Sequence, residues 1–279
     1  MNEHKDSRRR ASGRYLIVML ESVVSRTNVP VDLKPGQKAL FISDVHLGYG
    51  TREQDRRRED HLLQVLKGAL PTCGHLFIVG DLFDLWFDYN RVIPRDHVRT
   101  LACLLAYREA GIPVTYLMGN HDFGHHTYFK DELDINVISG DVDAVIAGTR
   151  FYIAHGDGKA HNDTGYLILR GILRSPLAQW LYRLLHPNIG IGLASASSHG
   201  SRDYTGKKDY GTTDGLVDFA KARIDEGADV VVMGHRHQAQ QTVIDTGMYV
   251  NLGHWLAAPM TYGTFTPHDG FTLHTVEHT

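Results

Sequence analysis

Leu76-Phe77-Ile78-Val79-Gly80-Asp81-Leu82-Phe83-Asp84 is the stretch that decides how this chain folds. Its apolar run shows no alternation and stops on Gly-Asp, the pattern of a strand covered on both faces whose C-terminal end carries polar groups. The same order recurs to either side. Ala39 to Ile42 stops at Asp44-Val45-His46, and Val114 to Met118 at Gly119-Asn120-His121-Asp122. Arg150 to Ala154 stops at His155-Gly156-Asp157, and Val230 to Met233 at Gly234-His235-Arg236-His237. Five separated strand ends thus offer Asp, Asn and His side chains.

Helical spacing fills the gaps between strands. Thr51 and Gln54 form a capping-box pair, and Leu62, Val65, Leu66 and Ala69 recur behind it, predicting a helix over Arg52 to Leu70. The Arg56-Arg57-Arg58 run inside it, flanked by Glu and Asp, reads as a solvated face. Further helices are expected from Arg95 to Ala110, closed by Gly111, and from Asp214 to Glu226. Short β runs follow at Asn136 to Ser139 and Val142 to Ala147, and the end of the chain reads as an antiparallel β tail over Gln241 to Ile244, Met248 to Leu252 and Phe271 to Val276. Strand, polar cluster, helix, strand is the order of an α/β fold with its site at the carboxyl ends of the strands. Residues 1 to 36, punctuated by Pro30 and Pro35-Gly36, read as a flexible extension ahead of a domain over 37–279. From about 158 to 211 the pattern changes to an inserted helical lid with an apolar stripe at Leu177, Trp180, Leu181 and Leu184.

Composition narrows the function classes. With 279 residues, 42% hydrophobic and 22% charged, the chain is long enough for a substantial core. A net charge of -3 gives no overall attraction to nucleic acid, and no nucleic-acid partner is expected. Cys73 and Cys103 lack metal-type spacing and fit a reducing compartment, so the expected location is cytoplasmic.

Carboxylate, imidazole and amide-oxygen donors suit divalent ions such as Mn²⁺, Fe²⁺, Zn²⁺ or Mg²⁺. Asp44-x-His46 and His235-x-His237 would each put two side chains on one face, because side chains alternate along a strand. Asp81 is placed to bridge two ions, which in two-metal hydrolases lie roughly 3.5–4 Å apart. Any one of these pairs arises by chance in loops. Five in order, each after a buried-strand signal, point to a metal centre.

The series Asp44-x-His46, Gly80-Asp81-x-x-Asp84, Gly119-Asn120-His121-Asp122, His155-Gly156-Asp157 and Gly234-His235-x-His237 closely resembles the calcineurin-like metallophosphoesterase superfamily. The resemblance implies a two-sheet β-sandwich flanked by helices and a dinuclear site, with Mn²⁺ the expected metal. Asp44, His46, Asp81 and His237 would hold one ion; Asp81, Asn120, His155 and His235 the other. His121 would act on the phosphoryl or leaving group, and Asp122 would orient it.

After the fourth motif, His155-Gly-Asp-Gly-Lys-Ala-His-Asn-Asp163-Thr-Gly-Tyr166 resembles the pyrophosphatases that cleave UDP-2,3-diacylglucosamine in lipid A biosynthesis. Asn251-Leu-Gly-His-Trp255 resembles their closing segment. The likeness implies substrate contacts from Asn120, His121, Asp163, Tyr166, Ser201, Arg202, Lys208 and His235, with Lys207 beside them. It also implies peripheral contact with the cytoplasmic face of the inner membrane. The best-known form of that family has Arg at the position of His121. Two readings of the lid stripe stay open: it lines an acyl-chain cleft while Arg170, Arg174 and Arg183 face the headgroup, or it packs on the sandwich. A phosphodiesterase or nucleotide pyrophosphatase without a lipid requirement is the alternative enzyme, and a non-catalytic scaffold of the same fold the third possibility.

Overall fold

Leu40, Ile42, Leu76 and Ile78 face one way from their strands while Ala39, Phe41, Phe77 and Val79 face the other, and both sets are buried. That double burial is why the runs carry no alternation. The computed structural model describes residues 25–159, 164–192 and 215–277. Twelve strands among the described residues form two six-stranded sheets. The first has the order β1 (Arg26–Val31), β6 (Asp141–Ile146), β7 (Thr149–Ala154), β8 (Val230–Met233), β10 (Gly247–Asn251) and β9 (Gln240–Ile244). The second runs β12 (Gly270–Thr275), β11 (Thr261–Thr266), β2 (Lys38–Ile42), β3 (Cys73–Val79), β4 (Val114–Leu117) and β5 (Asn136–Ile138).

Between the sheets, Phe41 stacks on Phe77 at 4.9 Å and meets Phe151 of the opposite sheet at 5.8 Å. Outside the second sheet, Leu40, Ile42, Leu76 and Ile78 share a core with residues of α1 (Arg52–Ala69) and α2 (Val98–Glu109). The short α3 (Tyr128–Leu133) joins the same cluster. Outside the first sheet, Tyr152, Val231, Met233 and Tyr249 pack on Leu216, Ala220 and Ile224 of α6 (Gly215–Asp225). The result is the expected sandwich flanked by helices. The lid contributes α4 (Thr164–Leu173) and α5 (Pro176–Arg183) among the described residues.

Three elements depart from the sequence reading. β1 lies within the stretch read as an extension, pairing parallel with β6 from Arg26 to Val31. Its Pro30 is tolerated because β1 is an edge strand, and alternating exposure hid its apolar side, Val29 and Val31. β11, whose Thr-rich sequence lacks an apolar run, was not foreseen. The tail is not a single antiparallel unit either: β10 runs parallel to β8 in one sheet, whereas β11 and β12 belong to the other.

The parallel strands β2, β3 and β4 of one sheet and β7 and β8 of the other deliver their C-terminal loops to a common edge. Pairing outlasts the strands there. Asp44 N–H donates to Gly80 O (3.2 Å), His46 N–H to Asp81 O (3.0 Å) and Gly234 N–H to His155 O (2.9 Å).

Candidate metal centre

Five of the proposed ligands adopt the left-handed backbone region: Asp44 (φ 51°), His46 (φ 52°), Asp81 (φ 51°), His235 (φ 68°) and His237 (φ 56°). This corrects the alternation argument. Asp44 and His46 stand beyond the end of β2, and the left-handed turns, not strand pleating, bring both side chains to one side. Non-glycine residues there carry strain of order 1–3 kcal/mol each, a cost that concentrates at functional sites. Gly119 lets the loops close up, since a Cβ on it would overlap the Asp81 carboxylate.

The side chains gather into two groups sharing Asp81. In the first, His237 Nε2 lies 3.2 Å from Asp44 Oδ1, and His46 Nε2 lies 3.1 Å from His237 Nε2 and 3.7 Å from Asp81 Oδ2. In the second, His155 Nε2 lies 3.3 Å from Asp81 Oδ2 and 3.0 Å from Asn120 Oδ1, which is 2.9 Å from His235 Nδ1. All seven residues that the resemblance designates as ligands are therefore brought together.

The electrostatics of this cradle favour cations. Asp44 Oδ1 is buried and receives no hydrogen bond of good geometry from the described residues. The Val79 carbonyl, 2.9 Å from His155 Nδ1, accepts a hydrogen bond from that N–H and leaves Nε2 facing two oxygen acceptors. Burial opposes a charged imidazole, but Asp44, Asp84 and Asp81 outweigh it and hold His46 up at about 9. His155 is likewise held at about 10 against burial, chiefly by Asp81. His235 is pushed down to about 4 by burial and by His155, so it presents a lone pair near neutral pH. Oxygen and imidazole donors around a demand for positive charge fit borderline to hard divalent ions.

His121 sits beside the first group, its ring edge-on to His46 at 4.8 Å. Its partner is not the one expected. Its Nδ1 faces Asp84, 3.5 Å from Oδ1 and 3.3 Å from the carbonyl oxygen, and Asp84 Oδ1 is also 3.4 Å from His46 Nδ1. Asp122 is fully buried and accepts from the N–H groups of Gly119 (2.8 Å), Leu82 (2.8 Å), Asp81 (3.2 Å) and Phe83 (3.4 Å) and from the Tyr116 hydroxyl. These donors hold it as a carboxylate although burial and Asp81 push it up to about 6. Asp122 thus shapes the Asp81 and Asn120 loops instead of orienting His121. The three-residue step from Asp81 to Asp84 was the available signal for Asp84. For Asp122, adjacency to His121 misled.

Arg58 is a third correction. Arg57 does project to solvent beside Glu53, but the Arg58 side chain is 6% exposed and donates to His46 O (2.6 Å) and Tyr49 O (3.1 Å). The lid arginines also turn inward. Arg170 Nη1 bonds Asp157 O (3.0 Å) with Asp157 Oδ2 at 3.1 Å, Arg174 bonds Gly119 O, and Arg183 lies over the Phe87 ring. The lid stripe does not pack on the sandwich: Leu177 is 66% exposed, Trp180 54% and Leu184 65%. Asp163, Ser201, Arg202, Lys207 and Lys208 lie outside the described residues, as does the side chain of Tyr166, whose backbone falls in α4.

Two donor clusters sharing one carboxylate, at the edge of a sandwich where strand ends converge, are the arrangement that a two-metal hydrolase site would need. The calcineurin-like phosphoesterase family model matches residues 38–239, and the chain belongs to that family, a metal-dependent phosphoester hydrolase by class. It is 30% identical over 255 residues to the UDP-2,3-diacylglucosamine hydrolase of Porphyromonas gingivalis, covering 85% of this chain and 95% of that one. The protein of the same name from Xanthomonas campestris is 28% identical over 232 residues, covering 77% and 90%. Among solved structures, an archaeal phosphodiesterase matches 86% of this chain and 99% of its own, with a TM-score of 0.43 and 14% identity.

Proposed function

We propose that the protein hydrolyses the pyrophosphate bond of a nucleotide-linked lipid, UDP-2,3-diacylglucosamine, giving UMP and 2,3-diacylglucosamine 1-phosphate. The observation that carries the lipid assignment is the apolar face of α4 and α5, exposed at Ile168, Ile172, Leu177, Trp180 and Leu184 although the lid is anchored beside the metal centre. An exposed apolar face of this kind marks a binding surface. Acyl chains on the lid would leave the diphosphate over the buried clusters, and the names of the relatives support the same substrate.

Asp44, His46, Asp81 and His237 would hold one ion and Asp81, Asn120, His155 and His235 the other, with Mn²⁺ our choice of metal. Two bound dications supply neutralisation of the phosphate and a water of lowered pKa. The chain's own residues do the rest. Asn120 and His235 flank the phosphoryl group. Asp84 holds His121 through Nδ1, so the Nε2 edge meets the departing oxygen and donates its proton. The exposed lid face would also rest on the cytoplasmic leaflet of the inner membrane; no described helix is long and apolar enough to cross one.

UMP release from UDP-2,3-diacylglucosamine, compared with release from UDP-N-acetylglucosamine lacking the acyl chains, tests the reading. A strong preference for the acylated substrate is expected. Equal rates would replace the lipid assignment with a nucleotide pyrophosphatase or general phosphodiesterase.

A further inference from the structure

Arginines from different parts of the molecule hold backbone carbonyls of the ligand loops, and besides Arg170 on Asp157 O two of them bear on the loops of His46 and Asn120. Arg58, on core helix α1, donates to His46 O at 2.6 Å. Arg174, at the corner between lid helices α4 and α5, donates through Nη2 to Gly119 O at 2.7 Å. Gly119 immediately precedes Asn120, so this bond fixes the peptide plane from which Asn120 and then His121 project. The same Arg174 nitrogen lies 3.4 Å from Asp157 Oδ2, and the guanidinium stands 5.7 Å from the Phe123 ring centroid. Its side chain is 15% exposed and that of Asp157 5%. Arg170 reinforces the anchor from one turn earlier. The corner is rigid beyond it, because Ser175 caps α5 by accepting from Ala178 N–H at 3.3 Å.

We infer that Arg174 is a positioning residue that makes the Asn120–His121 loop depend on the seating of the lid. The first ligand loop is braced from within the sandwich. The Asn120–His121 loop is braced from the sandwich side by Asp122, by Asp81 Oδ1, which accepts the His121 N–H at 2.8 Å, and by Asp84, and from the lid side by Arg174. Seating the lid therefore adds the bond that fixes the Gly119–Asn120 peptide plane to those the sandwich already makes. This rests on the phosphoesterase reading of the site but not on the lipid substrate.

The test uses the whole chain loaded with Mn²⁺ and a small diester, bis(p-nitrophenyl) phosphate, which has no acyl chain to engage the lid face. Arg174→Gln is expected to lower kcat on this diester by about 10–100-fold, the usual effect of losing a residue that orients a ligand, with KM little changed. Arg174→Lys, which keeps a charged donor, is expected to recover part of the loss. If Arg174→Gln matches the parent protein on the small diester and fails only on the acylated substrate, Arg174 is a substrate contact and the inference is wrong. Should the Gln variant not fold, Arg174→Lys decides: a rate equal to the parent's overturns the proposal. A parent protein inactive on every phosphoester would instead overturn the functional reading.

Discussion

Replacing Asp122 by Asn separates two roles that the Gly-Asn-His-Asp motif confounds. In the structure its two oxygens receive four backbone N–H groups and the Tyr116 hydroxyl, all within a fully buried pocket. An amide group would put an NH₂ where one oxygen now accepts, forfeiting at least two hydrogen bonds to a charged acceptor. At about 1.5–3 kcal/mol each, the loss is about 3–6 kcal/mol, against a total stability of roughly 5–15 kcal/mol. For a domain of this size that lowers the melting temperature by about 6–24 °C. Asp84→Asn, by contrast, keeps an acceptor oxygen near His121 and is expected to remain folded while kcat falls about 10–100-fold. Thermal unfolding and diester hydrolysis, measured on both variants, decide the matter. If Asp122→Asn melted with the parent protein and lost only rate, the loop-shaping role argued from these contacts would be refuted and the orienting role restored.

His121→Ala should lose rate while keeping bound metal, whereas Asp81→Asn should lose both, as elemental analysis alongside kinetics would register; metal loss in the His121 variant would count against its separate catalytic role. Gly119→Ala should lose metal with the far-ultraviolet circular dichroism unchanged, because the added Cβ overlaps Asp81; full metal occupancy would disprove the close approach. Acid should destabilise the protein partly through His75, which burial and Arg108 push down to about 4 and whose Nε2 lies 2.8 Å from Thr115 Oγ1. The unfolded chain takes up this proton near pH 6.5 and the folded one only near 4, so stability falls as pH drops across that window, by about 3 kcal/mol in full. His75→Gln should flatten that part of the urea-midpoint profile, and an unaltered slope would exclude His75 as its source.

What could be read from the sequence was whatever burial on two faces imposes locally. The Leu76–Val79 run marked a central strand because both its faces are covered. The same logic located every ligand-bearing loop, since an apolar run that halts on a polar cluster halts where the sheet meets solvent. Elements without an apolar run escaped: the edge strand β1 carries its apolar residues on one side only and contains Pro30, and the interior, largely buried β11 is built mostly of Thr, Gly and aromatic residues. Partner identity escaped for a different reason. Arg56, Arg57 and Arg58 look alike in sequence, yet helical rotation sends Arg57 to solvent and Arg58 under the His46 carbonyl. Asp122 neighbours His121 along the chain, yet its carboxylate turns the opposite way, toward Tyr116.

The left-handed ligands connect fold to chemistry. Asp44, His46, Asp81, His235 and His237 hold a left-handed conformation that is uncommon outside glycine, although Asp and His enter it more readily than most residues, and neighbouring contacts sustain it. Much of that support comes from hydrogen bonds between loops: the Asp44 carboxylate accepts the His235 N–H at 2.9 Å, joining loops from opposite sheets. Asn251 Nδ2 donates to Gly234 O at 2.7 Å, and Trp255 N–H to Asp44 O at 3.0 Å. The strain is thus offset by contacts of the sandwich itself, which hold the donor side chains at one edge of the two sheets. A cradle sustained by its own scaffold would need little rearrangement of its loops to take up a dication, and the buried carboxylates would supply the attraction that holds it.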